Sequence, residues 1–368
     1  MHYHILMSET CNSQCSYCYK KSMEEFDNGL DKKFKFDFTS PESSTVDLKK
    51  LKRFLLKDED AVLIFYGGEP LMEIEKIKRI MDEIHIPFRM QTNGKLLDKL
   101  PAKYVNRIKR ILVSLDGTRK RTDLNRGIGT YDKVISNLNL IKQNGYKGEL
   151  IARMTIAQEY PDIYEQVLSL IDAGFNSVHW QIDAGMYKFD YNYEKFKKFS
   201  EEYNKSISKL IDYWVEDMKK GKVLKLYPFL AIVDSLLKGE ATSLRCGAGY
   251  EGYAISTDGK IVACPIMNCI ENFKAGDLNT DPKNLKKFDV GGKCLKCEYL
   301  DRCGGRCLYT NKAELWPEQG TELICSTIKH LIDELEKKLP KIQELIDQKI
   351  IAKRQFSYEK YFGPEIIP

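Results

Sequence analysis

Cysteines are the residues of this sequence best suited to metal chemistry, and they fall into two separate groups. The first group, Cys11, Cys15 and Cys18, has a C-x3-C-x2-C spacing directly after a short apolar stretch. Three thiolates on one tight loop can bind three irons of a four-iron cubane and leave the fourth iron without a protein ligand. Because catalysis at a metal requires such an open position, the loop predicts a catalytic iron–sulfur cluster.

A zinc site, or three unrelated buried thiols, is the alternative interpretation of this loop. A structural zinc ion requires a fourth ligand. The nearby candidates, His2 and His4, stand on alternating positions of a predicted strand. The cluster interpretation is therefore preferred.

The second group lies in the last third of the chain and contains eight cysteines. Eight thiolates can fully ligate two further four-iron clusters at four cysteines each. A pair of structural zinc ribbons is the alternative, for which a C-x2-C spacing is typical. The members of this group are Cys246, Cys264, Cys269, Cys294, Cys297, Cys303, Cys307 and Cys325.

Composition and charge indicate a folded protein of a reducing compartment. Hydrophobic residues make up 43% of the 368 residues, enough for one large domain and a smaller one. The net charge of +5 is spread along the chain rather than gathered in a basic block, so nucleic acid is not an expected partner. No apolar run approaches the roughly 20 residues of a membrane helix, and the start lacks the flanks of a signal peptide. We therefore expect a cytoplasmic protein without a membrane partner, whose clustered cysteines bind metal rather than form disulfides.

Alternating apolar runs and amphipathic segments predict six strand–helix units around a parallel sheet. Six units make an incomplete barrel, in which the chemistry lies at the carboxyl ends of the strands. The predicted strands are 2–8, 61–66, 87–92, 110–115, 149–156 and 177–183. The predicted helices are 71–84, 98–109, 130–144 and 161–173, followed by helical segments near 190–220 and 227–238.

Four domain ranges follow from this pattern. Residues 1–190 are predicted to form a partial (β/α)6 TIM-like barrel, and residues 191–245 are predicted to be connecting helices. Residues 246–325 form a small cysteine-rich domain with a hairpin at Asp258-Gly259, because so short a segment cannot build much core without cross-links. Residues 326–368 are a C-terminal helix, capped at Ser326 and interrupted at Pro340, with a tail.

The amino-terminal triad resembles the signature of the radical S-adenosylmethionine (SAM) superfamily, with the aromatic Tyr17 directly before the third cysteine. The resemblance implies that the open iron chelates the amino and carboxylate groups of SAM. It also implies that an electron from the cluster cleaves SAM and yields a 5′-deoxyadenosyl radical. The cofactor supplies that chemistry, and the protein positions it.

A second superfamily motif follows the second predicted strand. The segment Gly67-Gly68-Glu69-Pro70 is similar to the one that binds the methionine amino group. Glycines let the backbone approach a ligand, and carbonyl groups and Glu69 can accept hydrogen bonds from an ammonium group.

Polar residues at the next two strand ends extend the resemblance. Thr92 and Asn93 end the third predicted strand and are expected to contact the cofactor. In the superfamily the equivalents of Ser114 and Asp116 face the ribose or methionine end of SAM; helix capping is the alternative. Arg126 stands where related maturases place an arginine on the methionine carboxylate, a natural bidentate pair.

The spacing of the second cysteine group resembles that of the SPASM domain, which follows the barrel in many peptide-modifying members of the superfamily. The resemblance implies one auxiliary four-iron cluster bound by Cys294, Cys297, Cys303 and Cys325. It implies a second one bound by Cys246, Cys264 and Cys307, with Cys269 as the candidate fourth ligand. If Cys269 is too distant, that cluster keeps an open site.

The family likeness implies oxidative modification of a peptide or protein side chain, such as a cross-link, a thioether or a desaturation. Expected partners are that substrate and an electron donor such as ferredoxin or flavodoxin. Radical modification of a tetrapyrrole side chain is a second enzymatic alternative, and a multi-cluster electron-transfer protein is a non-enzymatic one. Anaerobic sulfatase maturases are similar in architecture, but an Asp thought to be their base corresponds to Pro265, which disfavours formylglycine formation.

Three polar residues alternate along the sixth predicted strand, which places His179, Gln181 and Asp183 on one face. They are candidates for substrate contact or proton removal, with Gln181 as a possible cofactor contact and Asp183 as the candidate catalytic base. A capped strand end and a satisfied polar pair are the alternatives.

Overall fold

The computed structural model of the chain describes residues 1–21 and 27–368. These residues form two compact units, each assembled from discontinuous parts of the chain. The first unit comprises Met1–Cys18, Gly29–Ala152 and Gly247–Asp289. The second comprises Arg153–Cys246, Val290–Pro368 and the described residues of 19–28. The four predicted domain ranges divide the chain by motif instead, and they stay a prediction.

The six predicted strands are all present, with ends that shift by no more than two residues. The strands are β1 (His2–Leu6), β2 (Val62–Tyr66), β3 (Phe88–Thr92), β4 (Ile108–Ser114), β5 (Glu149–Ile156), β6 (Ser177–Ile182), β7 (Lys225–Leu226), β8 (Gly252–Ile255), β9 (Lys260–Val262) and β10 (Lys274–Asp277).

The α-helices after residue 27 are α1 (Leu30–Lys33), α2 (Leu48–Leu55), α3 (Ile74–Glu83), α4 (Ala102–Val105), α5 (Arg119–Arg126), α6 (Thr130–Gln143), α7 (Ile163–Asp172), α8 (Tyr193–Met218), α9 (Tyr227–Lys238), α10 (Leu300–Cys303), α11 (Leu308–Ala313) and α12 (Glu318–Asp347). Short 3-10 helices lie at Pro70–Glu73, Leu97–Lys99, Pro265–Met267, Glu271–Phe273, Pro282–Asn284, Gly292–Lys296 and Lys353–Phe356.

The sheet of the first unit runs in the order β10-β9-β8-β1-β2-β3-β4, followed by the start of β5. Strand β1 pairs in parallel with both β2 and β8, and β2, β3 and β4 continue the parallel arrangement. Strand β2 is buried along Val62–Phe65, the continuous apolar pattern of a parallel strand covered on both faces. The carboxyl ends of β1 to β4 therefore lie at one edge of the sheet.

The predicted hairpin at Asp258-Gly259 is present as the antiparallel pair β8 and β9. It extends the sheet of the first unit beside β1.

In the second unit, the remainder of β5 is followed by β6 and β7 in the sheet. The indole of Trp180 on β6 is fully buried, and its Nε1 donates to Tyr203 Oη on α8 at 2.9 Å. The two long helices α8 and α12 pack together, with His330 Nε2 at 2.9 Å from Ser208 Oγ. These helices enclose the core of this unit.

Two helix predictions were wrong. The segment 98–109 is not one helix, because the short helix α4 begins only after its N-cap Pro101 and the apolar run from Ile108 already belongs to β4. Helix α12 begins at Glu318 and continues through Pro340, so Ser326 lies inside it rather than at its cap. Leu335 and Ile342, buried on either side of the proline, hold the helix together despite the missing hydrogen bond.

No helix among the described residues is both long enough and apolar enough to cross a lipid bilayer.

Candidate active site

The loop that carries the first cysteine group follows β1 and is held by hydrogen bonds from neighbouring strand ends. Asn93 Nδ2, at the end of β3, donates to Asn12 Oδ1 at 2.6 Å and lies 3.8 Å from Cys11 Sγ. Within the loop, Cys18 N donates to Cys15 O at 3.2 Å, which makes a tight turn. The structure thus brings the predicted contact Asn93 and the triad together.

The end of α5 holds the same loop from the other side. Ser16 N donates to Asn125 O at 3.0 Å, and Arg126 Nη1 lies 3.9 Å from Cys15 Sγ. Burial raises the pKa of the Cys15 thiol, and the nearby Arg126 guanidinium acts against that rise. Two N–H donors are therefore aimed at sulfur atoms of the triad, which suits thiolate ligands.

Glu69 is fully buried and links the ends of β2 and β3. Its Oε1 accepts from Leu71 N at 3.0 Å and from Thr92 Oγ1 at 2.7 Å, and its Oε2 accepts from Asn93 N at 2.7 Å. Burial raises the pKa of Glu69 to about 7, although these donors act in the opposite direction. Three protein donors therefore hold the Glu69 carboxylate between the ends of β2 and β3, and its contact with the cofactor stays a prediction. Pro70 starts the following 3-10 helix, for which Glu69 is the N-cap.

The two glycines of the Gly67-Gly68 segment allow close contact with the chain just before the cysteine loop. Gly68 N donates to Ser8 O at 2.8 Å, and Glu69 N donates to Thr10 O at 3.0 Å. A Cβ atom at Gly67 would lie 2.4 Å from Ser8 O, and one at Gly68 would lie 2.2 Å from Thr10 O. These glycines are predicted to let the backbone come close to a ligand. The structure shows that they also let it come close to the backbone of Ser8 and Thr10.

Gly68→Ala should abolish the first iron site. The added Cβ forces the Thr10 backbone to move, and this backbone leads directly into Cys11. We expect a loss of about a third of the bound iron, on the count of three equal clusters, together with loss of SAM cleavage. Gly129→Ala is the control, because a Cβ there meets no atom within 4 Å, although its φ of +80° still carries left-handed strain. Unchanged iron in the Gly68 variant would contradict the prediction.

The buried residues Asp116 and Arg126 and the half-buried Tyr17 form a network beside Cys15. Arg126 Nε donates to Asp116 Oδ2 at 3.0 Å and Arg126 Nη2 donates to Asp116 Oδ1 at 2.9 Å, a bidentate pair. Tyr17 Oη also donates to Asp116, and the Arg126 guanidinium lies over the Tyr17 ring. Burial raises the pKa of Tyr17 well above its ordinary value, while Asp116 raises the pKa of Arg126 against the effect of burial. Ser114 is half-buried at the end of β4, two residues before Asp116.

Four cysteines of the second group line one cavity of about 110 Å³ in the second unit, here called the four-cysteine cavity. Burial, followed by the charge of neighbouring cysteines, raises the pKa of Cys294, Cys303 and Cys325, and the pKa of Cys303 rises to about 11. Asn311 Nδ2 donates to Cys294 Sγ at 3.5 Å. The cysteines that line the cavity are Cys294, Cys297, Cys303 and Cys325.

The geometry of the amino-terminal site agrees with a family match. The radical SAM superfamily model matches residues 5–171, the range that contains the triad, Gly67–Pro70, Thr92, Ser114 and Arg126. The chain carries a radical SAM domain. It is an enzyme of that superfamily, so the prediction of an enzyme is confirmed. The radical SAM domain implies SAM and a four-iron cluster as cofactors.

Similarity to relatives extends beyond the radical SAM domain. The chain is 25% identical to a cysteine-type anaerobic sulfatase-maturating enzyme of Clostridium perfringens (strain 13 / Type A), over 82% of this chain and 86% of that protein. It is 21% identical to the radical SAM cyclopropyl synthase TigE of Paramaledivibacter caminithermalis, over 83% of this chain and 67% of that one.

The fold of the whole chain has a solved counterpart. The structure of native anSMEcpe with bound AdoMet and Cp18Cys peptide matches with a TM-score of 0.71 at 20% identity, covering 94% of this chain and 99% of that one. The predicted α/β class, with a parallel-sheet barrel and a cysteine-rich C-terminal region, is confirmed.

The residues of the radical SAM domain fit the group that the family implies. Three cysteines on the loop after β1 can each ligate a different iron and leave one iron for SAM. In the described part of the chain, no three Cys, His, Asp or Glu side chains converge on a single metal ion. The carboxylate-binding role of Arg126 and the SAM contacts of Gly67, Ser114 and Asp116 stay predictions.

The second predicted ligand set is divided between the two compact units. Cys264 and Cys269 lie in the first unit, whereas Cys246 and Cys307 lie in the second. Burial raises the pKa of the Cys269 thiol to about 11. The role of Cys269 as the fourth ligand of an auxiliary cluster therefore stays a prediction.

The polar face of β6 lies in the second unit. His179 is fully buried, with Nδ1 at 3.4 Å from Arg153 Nη1, and burial lowers its pKa well below the ordinary value. Arg153 Nη2 also donates to Gln181 Oε1 at 3.2 Å. Sequence reasoning missed Arg153, although an arginine in the middle of the buried strand β5 was the available signal. Asp183 is half-buried at the end of β6, and its main-chain N donates to Ile156 O at 2.9 Å.

Proposed function

We propose that this radical SAM enzyme oxidatively modifies a side chain of a peptide or protein. The observation that carries the proposal is the second cysteine group, of which four members line one cavity. Auxiliary clusters give a substrate radical an electron acceptor, which an oxidation requires. The C. perfringens relative and TigE have names that denote a sulfatase-maturating enzyme and a cyclopropyl synthase, and anSMEcpe has been solved with a peptide bound.

The electrons and hydrogen atoms of such a reaction can all be accounted for. SAM and a four-iron cluster held by Cys11, Cys15 and Cys18 would take one electron from a donor such as ferredoxin or flavodoxin, and cleavage of SAM would give methionine and a 5′-deoxyadenosyl radical. That radical would take one hydrogen atom from the substrate and leave as 5′-deoxyadenosine. The substrate then loses one proton to a base and one electron to an auxiliary site, so it is oxidised by two electrons overall. The electron that returns can start the next turnover.

The chain's own residues bind and orient these groups. Cys11, Cys15 and Cys18 would hold the catalytic cluster, and the buried Asp116–Arg126 pair keeps the Arg126 guanidinium beside that loop. Asn93 fixes the loop from the β3 side. Preorganised donors of this kind need no rearrangement when charge develops at the site.

Asp183 is proposed as the base that removes the substrate proton. Burial, followed by the carboxylates of Asp190 and Glu159, raises its pKa to about 8. Only the ionised form accepts a proton, so peptide modification should rise with pH up to about pH 8 and level off above it. Asp183→Asn should slow modification by about a hundredfold or more, while 5′-deoxyadenosine still forms.

Two controls accompany the Asp183 prediction. Asp190→Asn removes a neighbouring negative charge, so the pH profile of the otherwise active enzyme should move to lower pH. Product formation and 5′-deoxyadenosine are quantified together by liquid chromatography and mass spectrometry. An Asp183→Asn variant with the original rate and pH profile would remove this residue from the mechanism.

The proposed function is tested by incubating reduced, reconstituted enzyme with SAM and candidate substrates. A mass loss of two hydrogens in a peptide encoded beside the gene would support peptide oxidation. Turnover of a tetrapyrrole alone would replace the proposal with the small-molecule alternative. Conversion of a sulfatase peptide to formylglycine would show that the enzyme acts without an acid at Pro265, contrary to our expectation.

A further inference from the structure

Arg306 places a buried guanidinium group at the four-cysteine cavity. The side chain lines this cavity and is only 7% exposed. Its Nε donates to Pro368 O at 3.3 Å, whereas Nη2 has no hydrogen-bond partner among the residues that the structure describes. Buried N–H groups without a partner are rare in folded proteins. The orphaned donor therefore indicates that a further acceptor belongs in the cavity.

The backbone at Arg306 gives an independent reason to assign this side chain a task. Gly304, Gly305 and Arg306 have φ values of +72°, +82° and +55°, so three consecutive residues are left-handed. Glycine adopts this conformation without strain, but arginine does not. A strained backbone conformation persists only where the surrounding structure holds the residue in place, and such residues are concentrated at functional sites.

Asn311 supplies a second N–H group to the same cavity. Its Nδ2 donates to Cys294 Sγ at 3.5 Å and to Gly291 O at 3.1 Å. Gly291 N donates in return to Asn311 Oδ1 at 2.8 Å, which fixes the amide orientation. The donor is therefore held towards the sulfur atom rather than free to rotate.

We propose that Arg306 and Asn311 raise the reduction potential of an auxiliary four-iron cluster in the four-cysteine cavity. This inference rests on the proposed function only in assigning the cluster to these cysteines. Reduction adds one negative charge to the cluster, and a fixed positive charge and N–H···S contacts stabilise the charged form. Arg306 contributes the larger share, because its charge is buried and thus weakly screened. The higher potential favours electron transfer from the substrate radical to this site.

Lys329 provides a matched comparison within the same cavity lining. It carries the same charge as Arg306 but is half-exposed, with Nζ at 5.1 Å from the centre of the Tyr299 ring. Solvent and salt screen an exposed charge far more than a buried one. Removal of the Lys329 charge should therefore have a smaller effect, and one that disappears at high salt.

The test is a redox titration of the reconstituted enzyme, followed by electron paramagnetic resonance. Arg306→Gln removes the charge and keeps an amide donor, and Arg306→Gly removes the side chain while relieving the left-handed strain. Both variants should shift one cluster midpoint to more negative potential, with the larger shift in Arg306→Gly. Lys329→Gln should give a small, salt-dependent shift. Asn311→Ala should move the same midpoint in the negative direction.

The outcomes separate this inference from the proposed function. Full iron content with an unchanged midpoint in both Arg306 variants would overturn the tuning role and leave the proposed function intact. Loss of cluster iron in both variants would also overturn it, since Arg306 would then be needed for assembly. If Cys294→Ala and Cys303→Ala leave the iron count unchanged, the cluster assignment itself fails. None of these measurements requires a peptide substrate.

Discussion

Replacing Cys11, Cys15 and Cys18 together by alanine should abolish 5′-deoxyadenosine formation and leave about two-thirds of the iron. The three thiols are the predicted ligands of the cluster that binds SAM, so no radical can form without them. The proposed auxiliary clusters would use other cysteines, which accounts for the iron expected to remain. Iron is measured colorimetrically after anaerobic reconstitution, and 5′-deoxyadenosine is measured by chromatography with dithionite as reductant. The unaltered protein should bind about twelve irons, from three clusters of four.

The matched control replaces Cys294, Cys297 and Cys303 by alanine. These residues line the four-cysteine cavity in the second compact unit, whereas the triad lies in the first. This variant should also retain about two-thirds of the iron but still cleave SAM, while peptide oxidation is lost. SAM cleavage that persists in the triad variant would refute the assignment of the catalytic cluster. Loss of cleavage in the control would show that the two sites are not independent.

Asp116→Ala should lower the free energy of unfolding by about 3–5 kcal/mol. The Asp116 carboxylate is completely buried and accepts both hydrogen bonds of a bidentate pair with Arg126, which is 8% exposed. Removing the carboxylate leaves the guanidinium charged and buried without its partner, and this uncompensated charge destabilises the folded state. Denaturant titration of the apoprotein measures the change without interference from iron.

Two comparisons isolate the buried charge as the cause. The double variant Asp116→Ala with Arg126→Leu removes both charges and should recover much of the lost stability. Arg119→Ala breaks the pair with Asp132, in which the side chains are 63% and 54% exposed, and should cost about 0–1 kcal/mol. Equal destabilisation by Asp116→Ala and Arg119→Ala would contradict the proposed importance of burial.

Strand positions and the cysteine motifs could be predicted from the sequence because both depend on local spacing. The apolar run Val62–Phe65 indicates a strand covered on both faces, and the triad indicates its cluster, without knowledge of distant contacts. The role of Arg126 as a ligand for the methionine carboxylate stays a prediction, whereas its contact within the protein could not be predicted from local spacing. Its bidentate pair with Asp116 joins the last residue of α5 to a residue just after β4, and no rule of sequence spacing predicts such a pair.

Features that depend on contacts far apart along the chain were missed. The task of Glu69 in joining β2 to β3 requires the donors Thr92 and Asn93, which follow more than twenty residues later. The burial of His179 depends partly on the C-terminal segment, because its Nε2 lies 3.4 Å from Ile366 O. Arg153 meets His179 only when β5 and β6 are neighbours in the sheet.

The pairing of β1 with β8 has a consequence for the order in which the chain can mature. During synthesis β1 leaves the ribosome long before its partner β8 (Gly252–Ile255). One edge of β1 therefore stays unpaired while more than two hundred residues are added. Unpaired edges are prone to join other chains. Iron delivered at that time would meet a loop whose supporting sheet is unfinished. Metal loading should therefore follow completion of translation, and chaperones that shield nascent strands should increase the yield of active enzyme.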